Sequence, residues 1–553
     1  MAAQNNLFSG PHSVADYFDP DKNPPLPLIE IPDRLNPFRD DGVRIYAKML
    51  TCLPAQNVKS LPDTPALKML QNKPDAHSKK IVEASSGSTV LSLGIIARVL
   101  WGNEDVDAYV TNKKPLESLN MLRFFGIRPC LYGGLAQQEP TDPTGIMCRL
   151  RKRSTQDEQM VYPGQYDNPN NWKAHEEWTG PQIYKQLPQI NIFCSTVGTG
   201  GAITGTGVYL KSRKPAVRVV GVFNKFGDPT PGPRHFYGFH TSGFPWQGTV
   251  DSRVEVSSVD SYRMSMRLSR EGLIAGPSSG EALHGLLEHI SNLKKSDDLA
   301  QFRDKTTGEV SCVFTCSDLP YQYLPGYFQK LEADEFPRIE NEILLKCDQT
   351  RHDERWILDS QKAATVLFGT TQLETSGKSA AGISKDTVGL GELVSTQKPR
   401  TVRSWILQLL QLLFSKNPRL GLNCCPGHSK DISPSVLVLD FRNEAAFKTQ
   451  HLPGSYSVPL EGLTSTLADG DLFGDAESVH MIWTHIQKSI DQPNVAKRLQ
   501  KARDNHCTVM LICYNGDASR LASSTLRAMG NEAFSVQGGF EALWAELEST
   551  GIV

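Results

Sequence analysis

A lysine and two loops of small residues carry groups that could form a Schiff base and bind a carboxylate and a phosphate. Lys59, in the segment LPAQNVKSLP, carries an amine that could form a Schiff base with a carbonyl group. The segment EASSGST (83–89) offers hydroxyl and N–H groups suited to a carboxylate, and the glycine-rich run TVGTGGAITG (196–205) offers N–H groups suited to a phosphate. The lysine becomes interesting as one member of a set: an amine that could form a Schiff base, a carboxylate loop and a phosphate loop, in this order.

Each of these features alone also has a purely structural interpretation. A glycine-rich loop is about as often a plain tight turn, and a serine before a helix is often its N-cap. Most lysines are solvated at the surface, and nothing beside Lys59 in the sequence distinguishes it. The prediction therefore depends on the combination of the three features.

A cysteine near the C-terminus begins another loop between a predicted strand and a predicted helix. Cys513 follows the apolar run TVMLI and opens the segment CYNGDASR, which ends at Arg520. Loop N–H groups, the positive end of a helix dipole and the arginine would all favour a thiolate, so the sequence predicts a lowered pKa for Cys513. The alternative, for a cysteine at a strand end, is a small buried apolar residue.

The elements that position these residues alternate between strands and helices. Up to about residue 335, apolar β-branched runs alternate with helical stretches, which is typical of a doubly wound α/β fold with ligands at the carboxyl ends of its strands. The strands predicted there are Val43–Met49, Lys80–Ala84, Asp107–Thr111, Ile190–Ser195 and Val217–Phe223.

Composition changes divide the chain into three parts. Residues 1–335 form the first domain, the Ser/Thr/Gly-rich stretch 336–400 is predicted to be a linker, and 401–553 form a second α/β domain with its core at 435–550. The segment 401–416 is predicted to be a short apolar helix that docks on the second domain.

The composition excludes several classes of protein. The 58 Lys and Arg nearly balance the 60 Asp and Glu, which argues against a basic nucleic-acid-binding protein, and 39% hydrophobic residues argue against wholesale disorder. No apolar run reaches the roughly 20 residues of a membrane span, and the first residues lack the pattern of a targeting signal. The 11 irregularly spaced cysteines indicate reduced thiols in the cytoplasm. No metal site is predicted, because Cys424 and Cys425 are adjacent and lack chelating spacing.

The region from about 27 to 331 resembles the fold-type II pyridoxal-phosphate enzymes, above all cysteine synthase and cystathionine β-synthase. The motifs that carry the resemblance, in order, are LPAQNVKSLP (53–62), SSGST (85–89), VYPGQYDNPNNWKAHEEWTGPQI (161–183), GTGG (198–201), GPRHFYGFHTSGFP (232–245), EGLIAGPSSGEAL (271–283) and VFTCSD (313–318). The resemblance implies a fold of two subdomains, similar to the tryptophan synthase β-chain, and pyridoxal 5′-phosphate as cofactor.

The same resemblance implies roles for individual residues. Lys59 would be the Schiff-base lysine. The residues expected to contact the cofactor are Ser88, Gly198, Thr199, Gly200, Gly201, Ala202 and Ser317, with Cys316 as the register alternative to Ser317. The residues expected to bind the substrate are Ser85, Ser86, Gly87, Thr89 and Gln165.

The chain departs from the family's pattern at four places. Asn57 stands where the family usually has serine, and Ser60-Leu61 stands where it has Asp-Arg. Ser88 replaces an asparagine that touches the cofactor's 3′-oxygen, and Ala202 replaces a threonine that touches its phosphate. Because each lost hydrogen bond to a charged group costs about 1.5–3 kcal/mol, the departures predict a weaker affinity for the cofactor.

The region from about 435 to 548 resembles a single rhodanese domain, the fold of many sulfurtransferases. The motifs are VLDFR (438–442), HLPGS (451–455), CYNGDASR (513–520), and QGG (537–539) followed by Trp544. The resemblance implies that Cys513 accepts sulfane sulfur as a persulfide, with Arg520 closing the catalytic loop.

Together the resemblances imply a β-replacement enzyme, in which sulfur adds to an aminoacrylate, fused to a persulfide carrier. The alternatives are a β-elimination enzyme, such as a desulfhydrase or an ammonia-lyase, and a non-catalytic scaffold for the sulfurtransferase. The expected partners are an amino-acid substrate, a sulfur donor and a second copy of the chain in a homodimer. Fusion would raise the local concentration of persulfide to about millimolar.

Overall fold

The chain folds into two compact units, Met1–Pro337 and Arg338–Val553. The computed structural model describes residues 7–60, 70, 76–85, 87–135, 138–238, 243–369, 431–465 and 471–553. The predicted substrate residue Ser86, the predicted helix over 401–416 and the Cys424-Cys425 pair lie outside the described residues. Among the described helices, none has the length and apolar character needed to cross a membrane.

The first unit is built from ten strands and eleven helices within the described residues. The strands are β1 (Leu28–Glu30), β2 (Val43–Met49), β3 (Lys80–Glu83), β4 (Val106–Thr111), β5 (Arg128–Tyr132), β6 (Met160–Val161), β7 (Ile192–Thr196), β8 (Arg218–Asn224), β9 (Ser252–Val256) and β10 (Val310–Cys316). The helices are α1 (Ser13–Phe18), α2 (Ser88–Trp101), α3 (Leu116–Phe124), α4 (Ile146–Gln156), α5 (Asn170–Ala174), α6 (Gly180–Gln186), α7 (Gly201–Arg213), α8 (Trp246–Thr249), α9 (Ser258–Arg270), α10 (Pro277–Lys295) and α11 (Leu324–Lys330). A π-helical turn, His175–Thr179, joins α5 to α6.

Two sheets organise this unit. The larger has the strand order β1-β2-β10-β7-β8-β9, and the smaller has the order β5-β4-β3-β6. All neighbours are parallel except β1 and β2. Because parallel strands end at the same edge, β2, β7 and β10 deliver the lysine segment, the glycine run and Ser317 to one side of the larger sheet.

The second unit has a single parallel sheet of five strands. The strands are β11 (Ile357–Leu358), β12 (Val436–Asp440), β13 (Tyr456–Ser457), β14 (Thr508–Ile512) and β15 (Glu532–Val536), in the order β11-β15-β14-β12-β13. The described helices are α12 (Ser360–Phe368), α13 (Glu444–Thr449), α14 (Ala476–Ile490), α15 (Pro493–Asp504), α16 (Asp517–Ala528) and α17 (Gly539–Ser549). The central strand β14 is buried over Val509–Ile512, and it ends immediately before Cys513.

The predicted strands of the first unit are confirmed, each to within two residues at either end. The prediction of a linker over 336–400 is wrong for residues 338–369, which belong to the second unit. There β11 pairs with β15, and α12 buries Ala363, Ala364 and Leu367 in the same apolar cluster as Leu543. The rest of the predicted linker, 370–400, lies outside the described residues.

Candidate functional sites

The glycine run after β7 forms a cradle at the N-terminus of helix α7. Gly200 is the N-cap and has φ +84°, a left-handed conformation that favours glycine. A Cβ on Gly198 would lie 2.9 Å from the carbonyl oxygen of Gly232, and one on Gly201 would lie 2.5 Å from Oδ1 of Asn171. These positions therefore have to be glycine. The first N–H groups of the 13-residue helix α7 have no partner within the helix and are available to an anion at its N-terminus.

Lys59 reaches this cradle through one buried asparagine. Its Nζ donates to Oδ1 of Asn171 at 3.3 Å. Nδ2 of Asn171 donates to Oγ1 of Thr199 at 3.0 Å and to the carbonyl oxygen of Gln165 at 2.6 Å. Thr199 Oγ1 also accepts from the N–H of Gly201 at 3.3 Å. The structure thus brings together the predicted lysine, cradle and substrate segment around Asn171.

A second asparagine fixes the turn that carries the lysine. Oδ1 of Asn57 accepts from the N–H of Lys59 and from the hydroxyl of Ser92, both at 2.9 Å. The carbonyl oxygen of Asn57 accepts from the hydroxyl of Ser60 at 2.7 Å. The side chains of Asn57 and Ser60, at two of the departures from the family's pattern, thus both form hydrogen bonds that hold the turn around Lys59.

The predicted substrate residues form a second network beside Asn171. The hydroxyl of Thr89 donates to Oε1 of Gln165 at 2.7 Å, and Nε2 of Gln165 donates to the carbonyl oxygen of Ala84 at 3.0 Å. Glu83 is fully buried beneath them and accepts from the N–H groups of Ala84 and Gly164. Burial raises the pKa of Glu83 to about 7, although these N–H groups lower it.

Most of the remaining predicted residues lie where these two loops enter their helices, at the N-termini of α2 and α7. The N–H of Gly87 donates to Oγ of Ser85 at 3.3 Å, and Gly87 is the N-cap of α2. Ser88 is the first residue of that helix, and Ala202 is the second residue of α7; both are half-buried.

Ser317 lies next to the lysine turn, whereas its register alternative does not. The carbonyl oxygen of Ser317 accepts from the N–H of Val58 at 2.7 Å, and its own N–H donates to Oγ of Ser279 at 3.0 Å. Cys316 is fully buried in the apolar core of the larger sheet. The half-buried Ser317 is therefore better placed than Cys316 to meet a ligand near Lys59.

Burial sets the electrostatics of this first site. It lowers the pKa of Lys59 to about 8. It also lowers the pKa of the buried imidazole of His175, and the positive charge of Lys59 lowers it further. His175 Nδ1 lies 2.9 Å from Oγ1 of Thr179, while its Nε2 has no hydrogen-bond partner among the described residues. The site therefore favours a neutral imidazole and an amine that loses its proton more easily than an ordinary lysine.

The second unit places Cys513 inside a ring of donors. The N–H groups of Gly516 and Ser519 point at its Sγ from 3.1 and 3.4 Å, and the thiol lies 3.4 Å from Oγ of Ser519. Gly516 has φ +105°, and a Cβ there would lie 2.7 Å from the carbonyl oxygen of Val536. This geometry suits a sulfur atom that carries negative charge.

One expectation for this loop is wrong. Cys513 is fully buried, and burial raises its pKa above the ordinary value even though the surrounding N–H groups lower it. Arg520 acts electrostatically on Asp348, His352 and Asp517. Its guanidinium lies 5.4 Å from the ring of Phe473. Residues 338–369, predicted as linker, thus supply two of its neighbours.

The cysteine loop is hydrogen-bonded to the segment that starts with QGG (537–539), which we call the closing motif of the second unit. The N–H of Phe540 donates to the carbonyl oxygen of Cys513 at 2.8 Å. Beside it, Arg442 makes a buried pair with Asp440, in which one guanidinium nitrogen lies 2.6 Å from the carboxylate. The guanidinium carbon of Arg442 lies 3.3 Å from the ring centre of Phe540.

Two parts of the chain match known protein families. Residues 23–300 match the family described as pyridoxal-phosphate dependent enzyme. The chain belongs to this family. Residues 428–546 match the rhodanese-like domain, so the two predicted resemblances are confirmed. The chain is therefore a pyridoxal-phosphate enzyme of mixed α/β fold with a C-terminal rhodanese-like domain.

The curated relatives include cysteine synthases of bacteria. The cysteine synthase of Aquifex aeolicus is 29% identical over 279 residues, which cover 49% of this chain and 83% of the relative. The probable cysteine synthase of Bacillus subtilis is 29% identical over 300 residues, which cover 51% of this chain and 92% of the relative.

The solved structures that resemble the chain are more distant. A hydrogen sulfide-producing enzyme from Fusobacterium nucleatum has a TM-score of 0.46 and 23% identity, covering 57% of this chain and 99% of its own. O-ureido-L-serine synthase has a TM-score of 0.47 and 20% identity, covering 58% of this chain and 96% of its own.

The residues of the first site fit pyridoxal phosphate. A side chain at Gly198 would collide with the backbone of Gly232 and one at Gly201 with Asn171, so the backbone of the cradle is bare at both positions. The N-terminal N–H groups of α7 and the hydroxyl of Thr199 are the donors that a phosphate requires. Lys59 supplies a buried amine that is connected to the cradle through the hydrogen bonds of a single residue, Asn171.

Proposed function

We propose that the first unit catalyses β-replacement on an amino acid with a sulfur nucleophile, and that the second unit carries the sulfur on Cys513. The observation that carries the first half is the hydrogen-bonded path from the Lys59 amine through Asn171 to Thr199 of the cradle. The cysteine synthases among the relatives support the substrate class, a small amino acid with a leaving group on its β-carbon.

Each predicted residue has a part in this proposal. Lys59 holds the cofactor, the run Gly198–Ala202 holds its phosphate, and Ser317 with Ser88 contacts its ring. When bound, the cofactor withdraws electrons from the α-carbon of an attached amino acid. The loop Ser85–Thr89, with Gln165, binds the substrate's carboxylate through hydroxyl and N–H groups.

The reaction needs a base that can take and return one proton. The amine of Lys59, with its pKa lowered to about 8, removes the α-proton when it is free and later returns it. The bond from the β-carbon to the leaving group breaks with its electron pair, and a carbon–sulfur bond forms in its place. In the absence of a nucleophile the same residues would support β-elimination, so product analysis with and without added sulfide separates the two outcomes.

On the second unit, the thiolate of Cys513 attacks the outer sulfur of a sulfane donor such as thiosulfate. A sulfur–sulfur bond to Cys513 forms, the donor's sulfur–sulfur bond breaks, and sulfite leaves with the electron pair. The N–H groups of Gly516 and Ser519 stabilise the negative sulfur. Two external thiols then reduce the persulfide: its sulfur–sulfur bond breaks, Cys513 regains its thiolate, the two thiols leave as a disulfide, and hydrosulfide is released as the nucleophile that the first unit requires.

Borohydride trapping tests the first half of the proposal, and the chain offers a matched control. Lys48 is a second fully buried lysine of the same unit, with its pKa lowered by burial to about 7. It donates to the carbonyl oxygen of Leu26 and to the side chains of Gln182 and Gln186. After reduction and peptide mapping the pyridoxyl mass should be on Lys59. Label on Lys48, or equal loss of label in Lys48→Met and Lys59→Ala, would overturn the assignment.

Two full-length variants test whether the units cooperate within one chain. Lys59→Ala keeps the sulfur carrier and Cys513→Ser keeps the cofactor site. If the carrier delivers sulfur in the same chain, a mixture that contains each variant at the wild-type concentration should form less product from thiosulfate than wild type, and the same amount from free sulfide. Equal yields from thiosulfate would show that joining the two units does not aid delivery.

The proposal extends to assembly and place of action. We propose a cytoplasmic homodimer, because the cysteines indicate reduced thiols and the fold-type II family that the sequence resembles is usually dimeric. Light scattering that gives the monomer mass of 61.1 kDa at micromolar concentration would contradict the dimer.

A further inference from the structure

Asn171 is the one residue in the described first site that contacts all three predicted parts. It is fully buried. Its amide meets Lys59, the threonine of the cradle and the backbone of the substrate segment, at 3.3, 3.0 and 2.6 Å. A buried amide with every contact on a functional segment is a candidate for controlling the lysine.

The contacts fix which way the amide faces. Thr199 Oγ1 and the carbonyl oxygen of Gln165 both accept hydrogen bonds, so the two N–H bonds of Asn171 are used there. The oxygen Oδ1 must then face Lys59, where it accepts from the amine. A flipped amide would set its N–H groups against the lysine and leave two acceptors unpaired.

The same hydrogen bonds determine the direction of the O–H bond of Thr199. Its oxygen already accepts from Nδ2 of Asn171 and from the N–H of Gly201. A hydroxyl has one hydrogen to give, and with both acceptor positions used that hydrogen is directed away from Asn171 and Gly201. It is then available to an anion in the cradle.

We propose that Asn171 is a positioning residue for the reaction: it holds the amine of Lys59 whenever that amine is not attached to the cofactor, and it aims the hydroxyl of Thr199 at the phosphate. The proposal rests on the function proposed above for Lys59. Asn171 supplies an acceptor without a charge, so the amine is oriented but is not locked in its protonated form as it would be beside a carboxylate.

Among the described residues, His175 is the titratable group that interacts electrostatically with the amine. Burial and the charge of Lys59 both lower the pKa of His175, so it stays neutral and adds no charge to the amine. A carboxylate introduced at position 171 would therefore act directly on Lys59. An opposite charge within about 4–6 Å raises a lysine pKa by roughly 1–3 units.

The test follows the attachment of pyridoxal phosphate to the cofactor-free full chain. Attachment to Lys59 is trapped with borohydride at a series of pH values and quantified by peptide mapping. In wild type the rate should rise with pH through about 8, because only the neutral amine attacks. Asn171→Asp should raise the pH of this midpoint by at least one unit, which is a tenfold change in proton concentration. Asn171→Leu should not move it upwards, but should slow attachment at least fivefold at every pH.

A matched buried asparagine separates positioning from stability. Asn224 is buried in the same unit, and its Nδ2 donates to the carbonyl oxygens of Thr230 and Pro233. Asn224→Leu should destabilise the unit without changing the midpoint or the rate at Lys59. If the Asn171 variants are too unstable to study, Thr199→Val removes one anchor of the amide and should slow attachment without moving the midpoint.

Two results would overturn the inference. One is the same midpoint in Asn171→Asp and Asn171→Leu, and the other is an attachment rate in Asn171→Leu within twofold of wild type. A wild-type chain that attaches no cofactor at Lys59 would instead refute the proposed function, so the two failures are distinguishable.

Discussion

Replacing Gly539 with alanine should destabilise the second unit far more than the same change at Gly551. Both glycines have left-handed φ values, +62° and +68°. A Cβ on Gly539 would press against the carbonyl oxygen of Tyr514 and lie 2.5 Å from that of Cys513, whereas a Cβ on Gly551 meets nothing within 4 Å. The pair therefore separates backbone strain from collision with the cysteine loop.

The expected magnitude follows from three contributions. The left-handed conformation costs about 1–2 kcal/mol for a residue with a Cβ, and this cost applies to both variants. Only Gly539→Ala adds an overpacking cost of about 1–3 kcal/mol and the loss of about 1 kcal/mol from the hydrogen bond between Phe540 and Cys513. Gly539→Ala should therefore be about 2–4 kcal/mol less stable than Gly551→Ala.

Scanning calorimetry of the full chain measures this difference. Pyridoxal phosphate, when added, should shift only the transition of the first unit. The transition that stays unchanged therefore belongs to the second unit. For a unit of this size, each kcal/mol lowers Tm by about 2–4 °C, so the two variants should differ by at least about 4 °C. Sulfur uptake from thiosulfate should fall in Gly539→Ala and persist in Gly551→Ala. Equal melting temperatures would refute the argument that the closing motif supports the cysteine loop.

Three further predictions concern the two reactive groups. Gly200→Asp should weaken cofactor binding at least tenfold in equilibrium dialysis, because it puts a side chain at φ +84° and an anion beside the phosphate; unchanged affinity would contradict the cradle. Because burial raises the pKa of Cys513, the rate of sulfur uptake should still be rising with pH above the ordinary thiol range, and a plateau near neutral pH would count against this. Cys513→Ser should abolish uptake and leave the visible absorbance of the bound cofactor intact, and residual uptake would point to another thiol.

Regular elements were predictable because their signal is local. The run VRIYAKM at Val43–Met49 is apolar and β-branched, and the structure has a strand over the same residues. The glycine run at 198–201 was also recognisable, since its spacing reflects close backbone approach. By contrast β11 has only two residues, and α12 has nine, so neither gives a pattern strong enough to distinguish it from a linker.

The parts of the sites that were missed depend on contacts between distant residues. Asn171 lies 112 residues from Lys59, in the run NPNN, where nothing local tells one asparagine from another. The pKa of Cys513 was predicted with the wrong sign because the sequence shows the loop's N–H donors but not the depth of burial. The interactions of Arg520 with Asp348 and His352 were also missed, because those two residues lie in the stretch that was predicted to be a linker.

The assignment of residues 338–369 to the second unit changes how the chain is connected. The two units meet in sequence at Pro337 and Arg338, and β11 and α12 belong to the same unit as β12, although residues 370–430 separate them in the sequence. The sequence connection between the units is therefore at residues 337–338 rather than in the predicted linker. A fragment that begins at 428, where the family match begins, would lose β11 and α12 and leave β15 as an unpaired edge open to aggregation.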